Sequence, residues 1–285
     1  MQLTLRRGHA ADAAACSLIC YEAFGAIADG HHFPRDFPVP EATAGLMSFL
    51  LSDPHTYSVV AEAGGRIAGS NFLSEGGTIA GVGPITVDPA RQNASVGRQL
   101  MEHVMQRAAE RRFAGVRLVQ AAYHTRSLSL YAKLGFDVRE PLLVLQGPAI
   151  GVALPGYAVR PANEADAAPC NRLCLHVHGH DRGTELLGAI QGGTAAVVTH
   201  QGRITGYTTG IGFFGHTVGE TNNDLQALIG AAAGFAGPGF IVPSRNTGLL
   251  RWCLHHGLRV TQPMTLMSTG LYNEPAGVFL PSVLF

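Results

Sequence analysis

The chain contains an internal repeat, and a chain with such a repeat is expected to fold as two similar halves. Three segments of the first half return in the second half, in the same order. The matching pairs are 11–20 with 165–174, 65–69 with 202–206, and 130–136 with 250–258. The first pair is the clearest: A-D-A-A-A-C-S-L-I-C returns as A-D-A-A-P-C-N-R-L-C, and Arg6 or Arg160 precedes it at the same distance. We infer a duplicated domain.

The length of the chain fits this duplication. Its 285 residues suit two domains of about 100–150 residues, each able to bury a core. We predict the first domain at 1–145, the second at 157–285 and a linker at 146–156, which contains the turn-forming run G-V-A-L-P-G. In each copy a strand, helices and a hairpin precede a strand–helix–strand–helix segment. This order predicts an α/β fold, with a mixed central sheet flanked by helices in each copy.

Composition argues against several kinds of partner. Basic and acidic residues number 20 each and only 14% of the residues are charged, so no strongly basic surface is predicted for nucleic acid or an anionic membrane. The N-terminal sequence has no signal-peptide core and the chain has no uninterrupted apolar run of 18 residues, which together predict a cytoplasmic protein. The odd number of 5 cysteines argues against a disulfide framework.

Residues 85–100 carry the strongest functional signal. An apolar strand ends at Val87, a turn marked by proline follows, and from Ser95 onward the apolar residues recur with the spacing of one helix face. The backbone N–H groups at the start of such a helix can hold a phosphate or diphosphate. An ordinary strand–turn–helix connection is the alternative interpretation. The second copy, at 215–230, has no equivalent of this turn.

A second motif lies about thirty residues later, where 124–136 reads H-T-R-S-L-S-L-Y-A-K-L-G-F. The two motifs together resemble the GCN5-related N-acetyltransferase (GNAT) superfamily, and the whole chain resembles its tandem type. The family's acetyl-CoA loop, Q/R-x-x-G-x-G/A, corresponds to 92–97, and its L-Y-x-x-x-G-F motif corresponds to 130–136. Two departures stand out. Ser95 occupies the first glycine position, where a positive φ costs serine more than glycine, and His124 stands where the family often has asparagine.

The resemblance implies a site for acetyl-CoA as co-substrate, without a metal. Within it, Tyr131 is the implied catalytic residue, which donates a proton or a hydrogen bond to the leaving thiolate. The residues assigned to acetyl-CoA are Ile85, Thr86 and Val87 at the strand end, Gln92, Asn93, Ala94, Ser95, Val96, Gly97 and Arg98 in the loop and helix start, and His124 and Ser127 in the later helix.

The resemblance also implies an amine acceptor, either a small molecule or a peptide, with one wall of its groove formed by residues 24–40. Within that region His31, His32 and Phe33 are predicted to contact the substrate, and Phe37, Arg35 and Asp36 are further candidates. The general base is left open among Glu75, His124, His31, His32 and the terminal carboxylate of Phe285. Glu75 is also a predicted substrate contact.

The second copy is predicted to be degenerate, because it lacks the acetyl-CoA loop and because Arg251 is expected opposite Tyr131. Its H-V-H-G-H-D-R segment at 176–182 could in principle ligate zinc or nickel, but we favour a role in lining a pocket. A homodimer is a further option for the assembly.

The leading hypothesis is therefore an N-acetyltransferase that uses acetyl-CoA and a primary amine in a ternary complex. The alternative is a non-catalytic acyl-CoA-binding regulatory protein. A structural interaction domain is the third interpretation, and it predicts no binding of CoA.

Overall fold

The computed structural model describes residues 3–92 and 95–284. The chain forms two compact units. The first comprises Met1–Leu118, Tyr123–Asp137 and Ser268–Gly270, and the second comprises Val119–Ala122, Val138–Met267 and Leu271–Phe285.

The first unit is an α/β structure built on a mixed sheet. Its elements in chain order are β1 (Leu3–Arg7), α1 (Ala13–Gly30), α2 (Pro40–Ser52), β2 (Thr56–Ala63), β3 (Arg66–Ser74), β4 (Ile79–Val82), β5 (Thr86–Val87), α3 (Val96–Glu110), β6 (Gly115–Ala121, up to residue 118) and α4 (Thr125–Lys133). Neighbouring strands follow the order β1-β2-β3-β4-β6, and β5 pairs with β3. All these pairs are antiparallel except β4 with β6, which is parallel.

Helices cover this sheet with the apolar faces that the sequence spacing predicts. In α1 the buried residues include Cys16, Ile19 and Cys20, which share one helix face, and the two cysteines pack with Met47 and Phe72. In α3 five of the six predicted apolar positions are buried, and Met105 is partly buried; the five are Val96, Leu100, Met101, Val104 and Ala108. All five cysteines of the chain are free and buried.

By length and composition alone, one helix of the described residues, Ala10–Gly30, is long and apolar enough to cross a membrane. This is weak evidence, because core helices share these features and 39% of the 18-residue window is already buried. The helix includes Glu22 and Asp29, which interrupt its apolar sequence. The cytoplasmic location stays a prediction.

The second unit has two groups of paired strands. Its elements in chain order are β7 (Asp137–Gln146, from residue 138), β8 (Tyr157–Pro161), α5 (Ala167–His178), α6 (Gly183–Gln191), β9 (Ala196–His200), β10 (Arg203–Thr208), β11 (Thr217–Gly219), α7 (Asn222–Ala231), β12 (Phe240–Pro243), α8 (Thr247–His255), β13 (Arg259–Gly270, up to residue 267) and β14 (Val278–Leu280). One sheet has the order β14-β11-β10-β9-β8, and β13, β7 and β12 are neighbours in the other.

Strand β7 ends the first sequence copy, yet it belongs to the second unit. It pairs antiparallel with β12 from Phe240↔Leu145 to Pro243↔Leu142. Its Leu142 and Val144 side chains are buried with Met264 of β13. The boundary between the compact units therefore differs from the boundary between the two sequence copies. The domain bounds of 1–145 and 157–285 describe the sequence copies and stay a prediction.

The repeated arginines have the same role in both units. Arg6 Nη1 lies 2.8 Å from Asp12 Oδ2, and Arg160 Nη1 lies 2.7 Å from Asp166 Oδ2. In each case the arginine at the end of the first strand is paired with the aspartate before the first helix. The repeated sequence pattern therefore corresponds to an ion pair that is present in both units.

The repeated glycines Gly69 and Gly206 lie where atoms of other segments approach closely. A Cβ atom on Gly69 would lie 2.5 Å from the carbonyl oxygen of Thr86, and one on Gly206 would lie 2.9 Å from Val198 Cγ1. Side chains are therefore excluded at these positions in both halves, which explains why the last glycine of G-R-I-x-G is present twice.

Candidate active site

The parallel pairing of β4 with β6 ends early. It runs for three residue pairs, from Ile79↔Gly115 to Gly81↔Arg117, and the chain then turns through Gly83 and Pro84 into β5, which pairs with β3. The predicted residues Ile85, Thr86 and Val87 therefore follow the point at which the chain stops pairing with β6.

The backbone of Val87 is oriented away from β3. The Asp88 N–H donates to the carbonyl of Ala68 at 2.9 Å, and bonded and non-bonded pairs alternate along an antiparallel ladder. Val87, one residue earlier, is in a non-bonded pair with Gly69, so its N–H and C=O point to the other side. This strand end can offer hydrogen bonds to an extended ligand.

The loop after β5 leads into the N-terminus of α3. Ser95 is the residue before the helix, and its φ of 60° and ψ of 10° place it in the left-handed region. This is the conformation that the family's first glycine suits, and serine adopts it at a cost. Arg98, in the first turn, is exposed and pairs with Glu102 at 3.6 Å. The predicted residues Asn93 and Ala94 lie outside the described residues.

Three elements of the predicted acetyl-CoA site meet at Gly97. A Cβ atom there would lie 3.6 Å from Val87 Cγ2 and 3.8 Å from Leu130 Cδ2, so the strand end, the start of α3 and helix α4 are in contact range. Farther out, Arg126 Nη1 of α4 donates to Gln92 Oε1 at 3.2 Å. The two sequence motifs thus form one site.

Tyr131 lies on the buried side of α4 and only 6% of it is exposed. Burial raises the pKa of Tyr131 above its usual value, so the phenol is protonated at neutral pH and can donate a hydrogen bond. The helix stops shortly after it: Gly135 has φ of 87°, and the Phe136 N–H donates to the Tyr131 carbonyl at 3.0 Å. The L-Y-x-x-x-G-F motif therefore ends the helix as well as supplying the phenol.

His124 is the residue that precedes α4, and its carbonyl accepts from the Ser127 N–H at 3.1 Å and the Ser127 hydroxyl at 2.9 Å. The pKa of His124 is lowered, chiefly by burial and further by His31 and Arg126. Its imidazole is therefore neutral at pH 7 and able to accept a proton.

The end of α1 contacts the start of α4 through aromatic rings. Phe33 stacks on Tyr123 with ring centroids 4.1 Å apart and an interplanar angle of 7°, and the His31 ring lies 5.3 Å from Tyr123. We call His31, Phe33 and Tyr123 the aromatic wall. Burial and the charge of Asp36 raise the pKa of Tyr123 to about 12.

Sequence reasoning missed Tyr123, although it directly precedes the His124 that opens the second motif. The predicted substrate contacts His31 and Phe33 are thus brought to the start of α4. His32 lies next to them but is exposed, has φ of 59°, and donates its N–H to the Asp29 carbonyl at 3.2 Å.

Glu75 lies elsewhere in the first unit. Its carboxylate accepts from Arg107 Nε at 2.7 Å and lies 3.7 Å from Arg111 Nε, both near the C-terminus of α3. The structure therefore places it at the opposite end of α3 from the acetyl-CoA loop, and does not bring it together with Tyr131. Phe285 lies outside the described residues.

The remaining candidates of the 24–40 region have internal partners. Arg35 forms a two-pronged ion pair with Asp29 and also donates to the Tyr21 hydroxyl at 3.1 Å. Phe37 packs edge-on against Phe24 with ring centroids 5.4 Å apart. These contacts fold the loop onto α1 and set the position of the aromatic wall.

The equivalent helix start in the second unit already holds a carboxylate. Asp224, in the first turn of α7, accepts from the Thr221 N–H at 2.8 Å and from the Thr205 hydroxyl. Only Glu220 and Thr221 separate β11 from α7, so no phosphate-binding loop precedes this helix.

Helix α8 matches α4 residue by residue, 122 positions later: Thr247–His255 against Thr125–Lys133. Gly257 has φ of 84°, and the Leu258 N–H donates to the Cys253 carbonyl, as Phe136 does to Tyr131. Cys253 is therefore opposite Tyr131. The expectation of Arg251 at that position was wrong, because it aligned the leucines rather than the helix ends.

The histidines of 176–182 do not gather as a ligand set. His178 and His180 are buried with ring centroids 5.8 Å apart, whereas His176 is exposed. Across residues 3–92 and 95–284, no group of three or more His, Cys, Asp or Glu side chains is placed to hold a metal ion. That the site works without a metal stays a prediction.

A comparison with protein families gives a match within the first half. The model of the acetyltransferase (GNAT) family matches residues 25–136, which contain both motifs and all the contacts around Gly97. This part of the chain is similar to the GNAT family. The resemblance predicted from 92–97 and 130–136 is confirmed.

Solved structures extend the GNAT fold to both halves. A provisionally assigned acetyltransferase from Pyrococcus horikoshii is similar over 97% of this chain and 92% of its own, with a TM-score of 0.75 at 15% identity. A GCN5-related N-acetyltransferase from Sphaerobacter thermophilus is similar over 95% and 96%, with a TM-score of 0.64 at 17% identity. A tandem GNAT protein from the clavulanic acid biosynthesis pathway is similar over 94% and 98%, with a TM-score of 0.57 at 14% identity.

At these identities the likeness concerns the fold, and the predicted tandem α/β GNAT fold is confirmed. No curated protein matches the chain significantly. The family assignment supports acetyl transfer from an acyl-CoA as the general class of activity.

Proposed function

We propose that the protein is an N-acetyltransferase that moves the acetyl group of acetyl-CoA to a primary amine, either a small molecule or a peptide. The observation that carries the proposal is the convergence of β5, α3 and α4 at Gly97. This convergence combines the backbone of Val87, a helix N-terminus and the phenol-bearing helix in one site.

Acetyl-CoA would be held mainly by backbone groups. The N–H groups in the first turn of α3 and the positive end of its dipole favour the diphosphate. Val87 offers its N–H and C=O to the pantetheine arm, and Arg126 holds Gln92 beside the loop. The residues proposed for this role remain Ile85, Thr86, Val87, Gln92, Asn93, Ala94, Ser95, Val96, Gly97, Arg98, His124 and Ser127.

The chemistry is a direct transfer. The amine nitrogen attacks the thioester carbonyl carbon, a C–N bond forms, the C–S bond breaks, and the proton lost by nitrogen is balanced by one gained at sulfur. A backbone N–H at the strand end would stabilise the negative charge that develops on the carbonyl oxygen.

Tyr131 is proposed to donate a hydrogen bond to the leaving sulfur. The usual pKa is about 10 for a phenol and about 8.5 for a thiol, so complete proton transfer is uphill by about 2 kcal/mol even before burial is considered. Because burial raises the pKa of Tyr131 further, hydrogen-bond donation is the larger part of its role.

The second unit is proposed not to bind acetyl-CoA. Asp224 occupies the N-terminal turn of α7, where it accepts from the Thr221 N–H. A diphosphate placed there would face this carboxylate instead of unsatisfied N–H groups.

A non-catalytic acyl-CoA-binding regulator is the second candidate. Two observations favour it: Ser95 stores strain in the cofactor loop, and the Glu75 carboxylate is held by Arg107 rather than placed near Tyr131. We keep a cytoplasmic location and the absence of a nucleic-acid partner as parts of either proposal.

The deciding experiment mixes the full chain with acetyl-CoA and a panel of amines, follows the release of free thiol, and measures CoA binding by calorimetry in parallel. Thiol release that depends on the amine supports the enzyme. Binding of CoA without turnover supports the regulator. The absence of binding would overturn both and leave an interaction domain.

A further inference from the structure

The aromatic wall points to the chemistry of the acceptor. Building on the proposed function, we propose that the acceptor is a weakly basic amine attached to a flat apolar group. In this proposal Phe33 and Tyr123 recognise the flat group, and His124 accepts the proton of the amine.

The position of the wall suits this role. Phe33 and Tyr123 are each half-buried, and both lie outside the hydrophobic cluster that α1 and α2 form with the sheet. Tyr123 directly precedes His124, and Tyr131 follows seven residues later on α4, about 10 Å along a helix. The wall therefore joins the helix that carries the proposed hydrogen-bond donor to the leaving sulfur.

The shape of the wall favours a planar group. The Phe33 and Tyr123 rings are nearly parallel, at 7°, and stacked 4.1 Å apart, so their inner faces cover each other and a ligand can use only an outer face or an edge of each ring. Aromatic faces hold planar apolar groups by offset stacking or edge-on contact. Truncation of one ring should therefore weaken the binding of an aromatic acceptor specifically.

The charges in the loop beside the wall do not favour an anionic acceptor. Arg35 is the one arginine or lysine of the segment 31–36, and its guanidinium is already bound by Asp29 and by the Tyr21 hydroxyl. The carboxylate of Asp36 acts on Tyr123 from the same loop. A carboxylate on the acceptor would meet a guanidinium that is already paired in this segment, whereas an ammonium group is compatible with an aromatic ring face.

The proposed role of His124 as the proton acceptor limits how basic the amine substrate can be. Proton transfer from an α-ammonium of pKa near 7.8 to an imidazole of ordinary pKa near 6.5 has an equilibrium constant of about 1/20. Transfer from a lysine-like ammonium of pKa near 10.4 to the same imidazole has an equilibrium constant of about 1/8,000. Burial lowers the pKa of His124 below its usual value, and His31 from the end of α1 and Arg126 from α4, the charged groups that act on it, lower that pKa further. Weakly basic amines are therefore the acceptors that this site can deprotonate.

The test compares three amines with the full chain and saturating acetyl-CoA. L-phenylalaninamide and L-alaninamide have similar α-amines and differ in the ring, while phenethylamine keeps the ring but is about as basic as lysine. We expect kcat/KM at pH 7 to be at least about tenfold higher for L-phenylalaninamide than for either of the others.

Two variants separate recognition from folding. Phe33→Ala should lower kcat/KM about tenfold for L-phenylalaninamide and less than twofold for L-alaninamide, with the CoA affinity unchanged. Phe49→Ala is the matched control, because Phe49 is 62% exposed on α2, outside the wall, and should change neither value.

The proton acceptor is tested with His124→Asn. The chain itself shows that asparagine fits this backbone: Asn246 precedes α8 with φ of −78° and ψ of 67°, against −84° and 71° at His124. We expect kcat/KM to fall about 100-fold, and the acidic limb of its pH profile to lose the step due to His124. A fall of similar size at every pH, with the step retained, would remove His124 from this role.

The outcomes are distinguishable from failure of the proposed function. If no amine releases thiol, the enzyme hypothesis itself fails. If thiol is released but L-alaninamide or phenethylamine reacts as well as L-phenylalaninamide, the enzyme stands and the acceptor inference is overturned. An equal loss for all three amines in Phe33→Ala would also overturn it, because the ring would then serve only the fold.

Discussion

Asp224 accepts hydrogen bonds from both the N–H and the hydroxyl of Thr221, at 2.8 and 2.9 Å. The first turn of α7 therefore carries its own counter-charge and is internally satisfied. In the first unit, the corresponding turn of α3 begins at the exposed Ser95, which makes no side-chain cap hydrogen bond. This contrast separates a helix start that can receive an anion from one that already holds a carboxylate.

The first prediction concerns stoichiometry. Calorimetric titration of CoA into the full chain should give one site per chain, because Asp224 occupies the turn of α7 that corresponds to the α3 turn. Gly97→Glu should abolish binding, since a carboxylate then stands in the first turn of α3, as it does in α7. Gly97→Ala is the control and should bind nearly normally, because the nearest atom to its Cβ would be 3.6 Å away. Two sites per chain would contradict this account.

The second prediction concerns Tyr131→Phe. The residue is buried and the substitution preserves the ring, so the melting temperature should change little. The hydrogen bond to the leaving sulfur is lost, and kcat should fall about 100-fold while the Kd for CoA stays within twofold. Steady-state kinetics with thiol detection measure the first quantity, and calorimetry measures the second. An unchanged kcat would show that another group assists the departure of the thiolate.

The third prediction concerns the strained cofactor loop. Ser95→Gly should raise the free energy of unfolding by about 0.5–1 kcal/mol, because glycine adopts φ of 60° without the steric cost that serine has. The CoA affinity should stay equal or improve. Gln201, with φ of 51° in a turn of the second unit, provides the control: Gln201→Gly should stabilise the fold without any effect on CoA. Denaturant unfolding with and without CoA distinguishes the effects of the Ser95→Gly and Gln201→Gly substitutions.

The fourth prediction concerns acid stability. The Arg6 hydrogen bonds hold the pKa of Asp12 below its usual value, and Arg160 does the same for Asp166. Because the folded-state pKa is below the unfolded value near 3.9, each pair stabilises the fold above pH 4, and this contribution is lost as the pH falls through the folded-state pKa. Asp12→Asn should therefore cost about 1–2 kcal/mol at pH 7 and progressively less below pH 4.

Urea unfolding at a series of pH values measures this difference. Asp166→Asn should show the same pH dependence, since its ion pair with Arg160 has the same geometry. A penalty for Asp12→Asn that stays constant down to pH 2 would mean that the aspartate acts through packing and not through its charge.

The fifth prediction concerns a fragment. Residues 1–145 alone should expose an apolar surface, because Leu142 and Val144 of β7 are buried with Met264 and Ile241, which the fragment lacks. A dye that binds apolar surface should therefore bind the fragment more strongly than the full chain. Equal dye binding by the two would contradict this prediction.

Local features of the fold were predictable from the sequence. The apolar spacing of α3 gave the correct buried face, because helix periodicity depends on neighbours three and four residues apart. The positive φ at Ser95 was expected from its place in the family motif. The repeated Arg6 and Arg160 pointed to two halves with the same construction.

Features that depend on distant contacts were not predictable. Tyr123 meets Phe33 across 90 positions of sequence, and no local pattern indicates that the two rings stack. Glu75 was a candidate for substrate contact, but its partner Arg107 is set by the packing of α3 on the sheet. The equivalence of Cys253 with Tyr131 became visible only when the ends of both helices were known.

Gly69 and Gly206 leave no space for even a methyl group, one in each half of the molecule. A side chain at either position would force neighbouring atoms to move, whatever chemistry the half around it performs. A genome survey that identifies such halves by these glycines will count copies of the fold. The number of copies with a catalytic centre has to be judged from the start of the helix that follows, which is α3 in the first half and α7 in the second.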